Sequence, residues 1–169
     1  MGPMEKAIAA VKTLLDDCPA FREIVGSDAD PLQRIHWRSV NANPAGADEE
    51  FTHEQLARIR PCASLVHSAF SQGYSATGLW PSSGGIEVTV LQNVDEDDLI
   101  GDCLVDVDAE LNWIRQCDKL LHDVRERAEQ ILKIHTISVV VEPGAAGRDE
   151  MQKYGPFYGF MFFIEYGDK

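Results

Sequence analysis

Residues Gly155–Tyr166 read GPFYGFMFFIEY, and the alternation along this stretch decides the fold. Successive side chains of an extended strand point to opposite faces. Tyr158, Phe160, Phe162, Ile164 and Tyr166 therefore share one face, while Phe157, Met161 and Phe163 share the other. A strand with one solvated face carries polar residues at every second position. Only Glu165 and Gly159 interrupt the second apolar row here, so both faces call for cover. Few helices are available to supply it, which points to a subunit interface more than to an enzyme cleft.

The elements upstream follow from their own periodicities. Residues His135–Glu142 form a strand with Ile137, Val139 and Val141 inward, and a flexible turn, Pro143–Gln152, joins it to the last strand. A connection this short makes the two an antiparallel pair. Before them lies the longest helix, Asp108–Leu132, capped by Asp108. Its apolar seam is Ile114, Cys117, Leu121, Val124, Ala128 and Ile131, at a steady spacing of three and four. Arg115, Asp118, Lys119, Asp123, Glu126 and Arg127 occupy the opposite side. Ile86–Val94 is a strand with Ile86, Val88 and Val90 inward, and Cys62–Phe70 is another.

Between these strands Gln72–Gly85 is rich in Gly and Ser and reads as a long loop, and Asp95–Asp108 reads as an acidic connector. Phe51–Leu56 has the form of a capping box on Thr52, opening a short helix that must stop before Pro61. Asn41–Glu50 is loop by composition, and Gln33–Val40 is a short strand. At the N-terminus Met4–Leu15 is helical, Asp16–Pro19 interrupts it, and Pro19–Val25 resumes it up to Gly26. The expectation is an α+β fold over Met4–Lys169, with Met1–Pro3 set aside as a remnant. It is a single domain with a mixed or antiparallel sheet of four to five strands, and a long helix and a broken N-terminal helix pack on one face.

Composition narrows the function. The net charge of −13 and pI near 4.6 disfavour a nucleic-acid surface, which needs clustered Lys and Arg, and disfavour anionic membranes. No apolar run approaches a membrane span, and no signal segment opens the chain, so synthesis in the cytoplasm is expected. Cys18, Cys62, Cys103 and Cys117 are scattered without a Cys-x-x-Cys pair, and read as reduced, packed thiols.

Catalytic and metal patterns are weak. Asp95, Glu96, Asp97, Asp98, Asp102, Asp106 and Asp108 could hold a hard cation, but they lack the EF-hand spacing and read better as a solvated connector leading into a helix N-terminus. No His-x-x-x-His pair exists to build a zinc site, and Asp118 and His122 lie one helical turn apart. Cys62, His67 and Asp102 would make a triad only if the fold brought them together. The Gly78–Gly85 segment precedes a strand and lacks Gly-Lys-Ser/Thr, so it is no phosphate loop. Trp80 within it is either tucked over the core or used to dock a partner. No catalytic, cofactor-binding or metal-binding residue is assigned; the candidate site is an interface of Phe157, Met161, Phe163 and Trp80.

Taken together, the elements resemble the tail-terminator and tail-completion proteins of long-tailed bacteriophages. The resemblance spans Met4 to Gly167. It rests on the broken N-terminal helix, the Arg60-Pro61-Cys62-Ala63 entry to a strand, and the Gly-rich loop before Ile86–Val94. It continues through the helix Asp108–Leu132 and the closing pair Thr136–Val141 and Tyr158–Gly167, which ends Glu165-Tyr166-Gly167. The acidic insert Asp95–Asp106 and the loop Asn41–Glu50 depart from the pattern. The resemblance implies a non-enzymatic ring homo-oligomer, of hexamer type, that caps the tail tube and meets head-connector proteins. It would assemble in the host cytoplasm and end in the virion tail, and it carries over no catalytic residue. Head-to-tail contacts would cover the second apolar row, and surplus carboxylates would let DNA pass without sticking. Two other readings stay open: a small acidic adaptor that meets a basic partner, and a ligand-binding protein or small enzyme built around the acidic connector and Trp80.

Overall fold

The computed structural model describes residues 3–37, 57–68, 83–101, 104–135, 140–144 and 157–167. The N-terminal helix is broken as its sequence requires: α1 spans Pro3–Asp16 and α2 spans Pro19–Val25. Pro19 opens α2 at a position where a missing N–H costs nothing, and Gly26 closes it at φ 97°, a conformation that favours glycine. A 3₁₀ turn, Pro31–Arg34, follows, and Asp30 accepts from the Leu32 amide at 3.1 Å to start it. The turn takes Gln33 and Arg34 from the expected Gln33–Val40 strand; β1 is described over Ile35–Trp37, and residues 38–40 lie outside the described residues.

Next come β2, Cys62–Ser68, and β3, Ser83–Asn93. Residues 83–85, expected in the Gly/Ser-rich loop, are strand residues, because Gly167, Tyr166 and Glu165 on the last strand pair with them. The acidic connector is also more ordered than its composition implies. Within it, Glu96–Asp98 form a 3₁₀ turn, and β4, Leu99–Ile100, pairs with β5, Leu104–Val105. The turn between them includes Gly101 at φ 67°. The long helix α3, Val107–His135, starts one residue before the expected Asp108 and runs past Leu132. Its cap is Asp106, whose Oδ2 accepts from the Asp108 and Ala109 amides at 3.0 and 3.4 Å. The helix takes His135 from the expected His135–Glu142 strand; residues 136–139 lie outside the described residues, and the penultimate strand β6 is described over Val140–Gly144. The last strand, β7, is Phe157–Gly167.

The sheet order is β1-β2-β3-β7-β6. β1 runs parallel to β2 and every other pair is antiparallel, which includes the expected β6–β7 pairing. The fold is α+β, a mixed sheet with the long helix and the N-terminal helices packed against it. Phe162 stands beside Val88 and Ile164 beside Ile86, while Leu65 flanks Val88 from β2. These side chains, with Val90 and Ala63, meet Leu14, Leu15 and Phe21 from the N-terminal helices and Leu120 and Val124 from α3.

The helix seam is rotated from the expected one. Trp113, Cys117, Leu120, Val124 and Ala128 are buried, whereas Ile114 is 45% exposed and Leu121 only partly covered. A spacing of three or four fits two neighbouring stripes of this helix equally well. Trp113 decides between them: it stacks on Tyr158 at 5.3 Å and donates from Nε1 to the Gly159 carbonyl at 3.5 Å. Asp123, expected on the solvent side, sits against α2. Its Oδ2 accepts from the Ala20 amide at 3.1 Å and lies 3.9 Å from Cys18 Sγ. Cys18 cannot cap α2 with its own side chain, so α3 supplies the cap.

Candidate functional site: the open face of the sheet

All described helices of full length lie on one face of the sheet. The strand register composes the other face from alternating positions: Cys62, Ser64 and Val66 on β2, Glu87, Thr89, Leu91 and Asn93 on β3, and Phe157, Gly159, Met161 and Phe163 on β7. Its centre is Met161 beside Thr89, which in turn stands beside Ser64. Phe163 stands beside Glu87. All five are half-buried.

One end of this face is closed. Helical residues 57–59 and Arg60 lie over it, tied down by Asn93, whose Nδ2 donates to the Ala57 carbonyl at 2.9 Å. The Arg60 guanidinium stacks over the Phe157 ring at 4.2 Å and donates to Asn93 Oδ1 at 3.4 Å. Phe157 is left 3% exposed and Arg60 5%. The expectation that Phe157, Met161 and Phe163 form one exposed row is therefore corrected. Phe157 belongs to an internal cation–π contact, and the accessible row is reduced to Met161 and Phe163. Nothing in the sequence marks Arg60 for this role except its place just before Pro61 at a strand entry. Its Nε has no partner among the described residues, and burial pushes the guanidinium pKa down from its ordinary value. Trp80, the remaining candidate, lies outside the described residues, as do the Thr52 capping box and the Asn41–Glu50 loop.

The described thiols are packed, and Cys103 lies outside the described residues. Cys18, Cys62 and Cys117 are free and buried. Burial pushes Cys62 up to about 11. For Cys117, burial together with Asp118 and Glu110 gives about 12. Such thiols stay protonated and inert at neutral pH. Cys62 and His67 sit at opposite ends of β2, paired with Leu91 and Ile86 respectively, so the fold does not bring them together. His122 faces Glu126 at 3.4 Å on the exposed side of α3. Among the described residues no three His, Cys, Asp or Glu side chains gather so as to hold a metal ion. No described helix is long and apolar enough to cross a membrane.

A second surface feature stands apart from the open face. From Pro61 to Ile114 the chain contains no Lys or Arg, and the start of α3 lies in that stretch. There Val107 is 70% exposed, with Leu111 and Ile114 following at the spacing of one helical face. Ile100 and Leu104, a cross-strand pair on the β4–β5 hairpin, are 56% and 61% exposed. Tyr158 lies beneath this region with a buried hydroxyl that has no partner among the described residues; burial pushes its pKa up, and Asp98, Glu110, Asp95 and Asp106 add to the shift.

Compared with protein-family models, with curated proteins and with solved structures, the chain matches none.

Proposed function

We propose that this protein is a non-enzymatic structural subunit of a bacteriophage or prophage tail. In this reading it is a tail-terminator or tail-completion protein that forms a homo-oligomeric ring, joins the tail tube to the head-connector proteins and binds no nucleic acid specifically. The observation that carries the reading is the open sheet face, where Met161 and Phe163 stand half-buried with no full-length described helix over them. A subunit of a closed ring covers such a surface with a different patch of its neighbour. The net charge of −13 supports the same reading, because a carboxylate-rich ring does not retain DNA passing through it. The subunit would assemble in the host cytoplasm and remain in the virion tail.

Native mass spectrometry and negative-stain electron microscopy of the purified protein test this. Closed rings are expected, and Met161→Glu with Phe163→Glu should abolish them while the fold survives. A wild-type protein that stays monomeric at high concentration, combined with glutamate variants that fail to fold, would make the row part of a core and overturn the reading.

One observation favours a second reading. The exposed aliphatic cluster at the start of α3 is surrounded by carboxylates, the character expected of a small acidic adaptor that meets a basic partner. A monomer that captures a basic protein and never forms rings would select that reading.

A further inference from the structure

Two side-chain polar atoms are buried without a hydrogen-bond partner among the described residues, Arg60 Nε and the Tyr158 hydroxyl. The first belongs to a guanidinium that already stacks on Phe157 and donates to Asn93. The Tyr158 hydroxyl has no such account. Its residue is 8% exposed, and its ring is held against Trp113 at 5.3 Å. A buried hydroxyl left unsatisfied costs free energy, and each one in a native structure calls for an explanation.

The fold surrounds this hydroxyl with acid. Tyr158 stands beside Gln92 on β3, shortly before Asp95, and Trp113 lies one turn of α3 after Glu110. Backbone hydrogen bonds tie the acidic residues between them into one run. The Asp98 amide donates to the Asp95 carbonyl at 3.0 Å, the Asp106 amide to the Asp98 carbonyl at 2.8 Å, and the Glu110 amide to the Asp106 carbonyl at 3.0 Å. Asp98 and Asp106 are half-buried, and Asp95 and Glu110 are exposed. None of the four forms an ion pair among the described residues. Burial first, then Asp98, Glu110, Asp95 and Asp106, pushes the Tyr158 pKa up, so the hydroxyl keeps its proton.

We infer that the Tyr158 hydroxyl, with Asp95, Asp98, Asp106 and Glu110, seats a primary ammonium group carried on an alkyl stem. The ammonium N–H groups donate to the phenol oxygen and to the carboxylates, one acceptor for each donor. Asp106 Oδ2 is already engaged in capping α3, so Asp106 contributes charge, and Asp95, Asp98 and Glu110 supply the acceptors. A metal ion matches the site less well, since no three of these carboxylates gather so as to hold one among the described residues. Leu104 and Val107, on either side of Asp106 in the chain, are 61% and 70% exposed and suit the carbon stem. The positive end of the α3 dipole opposes a cation here, and the Asp106 cap with Asp108 and Glu110 in the first turn offsets it. The inference does not depend on the ring reading. A lysine of a partner as the source would deepen the adaptor reading, and a free diamine would stand apart from both.

The Trp113 indole N–H reports on the site, because its ring lies on Tyr158. Its resonance is followed by NMR as amine is added to the full chain at constant ionic strength. Cadaverine and Nα-acetyl-lysine amide should each shift it saturably, and tetramethylammonium, a cation without N–H donors, should not. Tyr158→Phe keeps the stacked ring and removes only the hydroxyl. It should melt no lower than wild type and bind both amines about tenfold more weakly, and Asp98→Asn should weaken binding by a similar factor. Tighter binding of the lysine derivative supports the inference and assigns the ammonium to a partner's side chain; tighter binding of cadaverine supports it and assigns a free amine. An equal response to tetramethylammonium, undiminished binding by a folded Tyr158→Phe, or no saturable shift with either amine would overturn the inference, whatever the oligomeric state. A shift with Ca²⁺ and with neither amine would overturn it in favour of a metal site.

Discussion

On the helix side of β7, Phe162 and Ile164 are 0% and 2% exposed; between and beside them on the other side, Met161 and Phe163 remain half-buried. The same strand thus passes through two environments, and its sequence barely distinguishes them. The covered face is sealed by α1, α2 and α3, with Asp123 fastening α3 to the N-terminus of α2. Among the described residues, only one end of the open face is sealed, by Arg60 over Phe157. Apolar character alone therefore does not say whether a residue is core. What decides is whether another element of the chain arrives above it.

The largest expected effect tests the covered face. Val124→Asp places a carboxylate where exposure is 0% and should cost about 4 kcal/mol or more, read as a lowered urea midpoint or loss of soluble protein. A soluble variant melting like wild type would show that this stripe of α3 faces water. Next comes a comparison within the open face itself. Phe157→Ala should cost about 3 kcal/mol, in line with a buried aromatic, whereas Phe163→Ala should cost about 1 kcal/mol or less in the monomer. Equal costs would remove the distinction between the sealed and open ends.

Asp123→Ala should cost about 1 kcal/mol, since the Ala20 amide loses its acceptor and α2 its cap. Asp118→Ala, earlier on α3 and exposed, is the control and should be close to neutral.

The pH prediction concerns both faces, because Cys62 has the register of the open face and Cys117 lies in the covered core. Both thiols have folded pKa values, about 11 and about 12, above the ordinary 9.0. The folded state therefore holds these protons more tightly than the unfolded chain does. Their contribution to stability is complete below pH 9.0 and is lost as pH rises through about 11 and 12. Denaturant titrations should show stability falling above pH 9.0, with a shallower fall in Cys62→Ala and Cys117→Ala. Ellman's reagent at pH 8 should leave both thiols unmodified until the chain unfolds. The smallest effect is expected from chelation: EDTA should leave the melting temperature unchanged, while a rise of several degrees with micromolar Ca²⁺ would revive a ligand-binding role for the acidic hairpin.

Local chemistry alone determined much of this protein. Pro19 and Gly26 delimit α2, the alternation of Ile86, Val88 and Val90 marks a strand with one inward face, and the period of α3 makes it a long amphipathic helix. These features depend on neighbours within a few residues, so a linear reading captures them. Only the tertiary structure chose Trp113 and Leu120 over Ile114 as the buried stripe, because adjacent stripes of one helix share the same spacing and the choice falls to the partner surface, here Tyr158 and Gly159. It turned Asp123 from a solvent residue into the cap of another helix, 103 residues away in the chain. It likewise withdrew Phe157 from the open row, by bringing Arg60 across from the entry to β2. Each of these outcomes depends on what a distant segment places nearby, and the period of a single strand or helix carries no record of that.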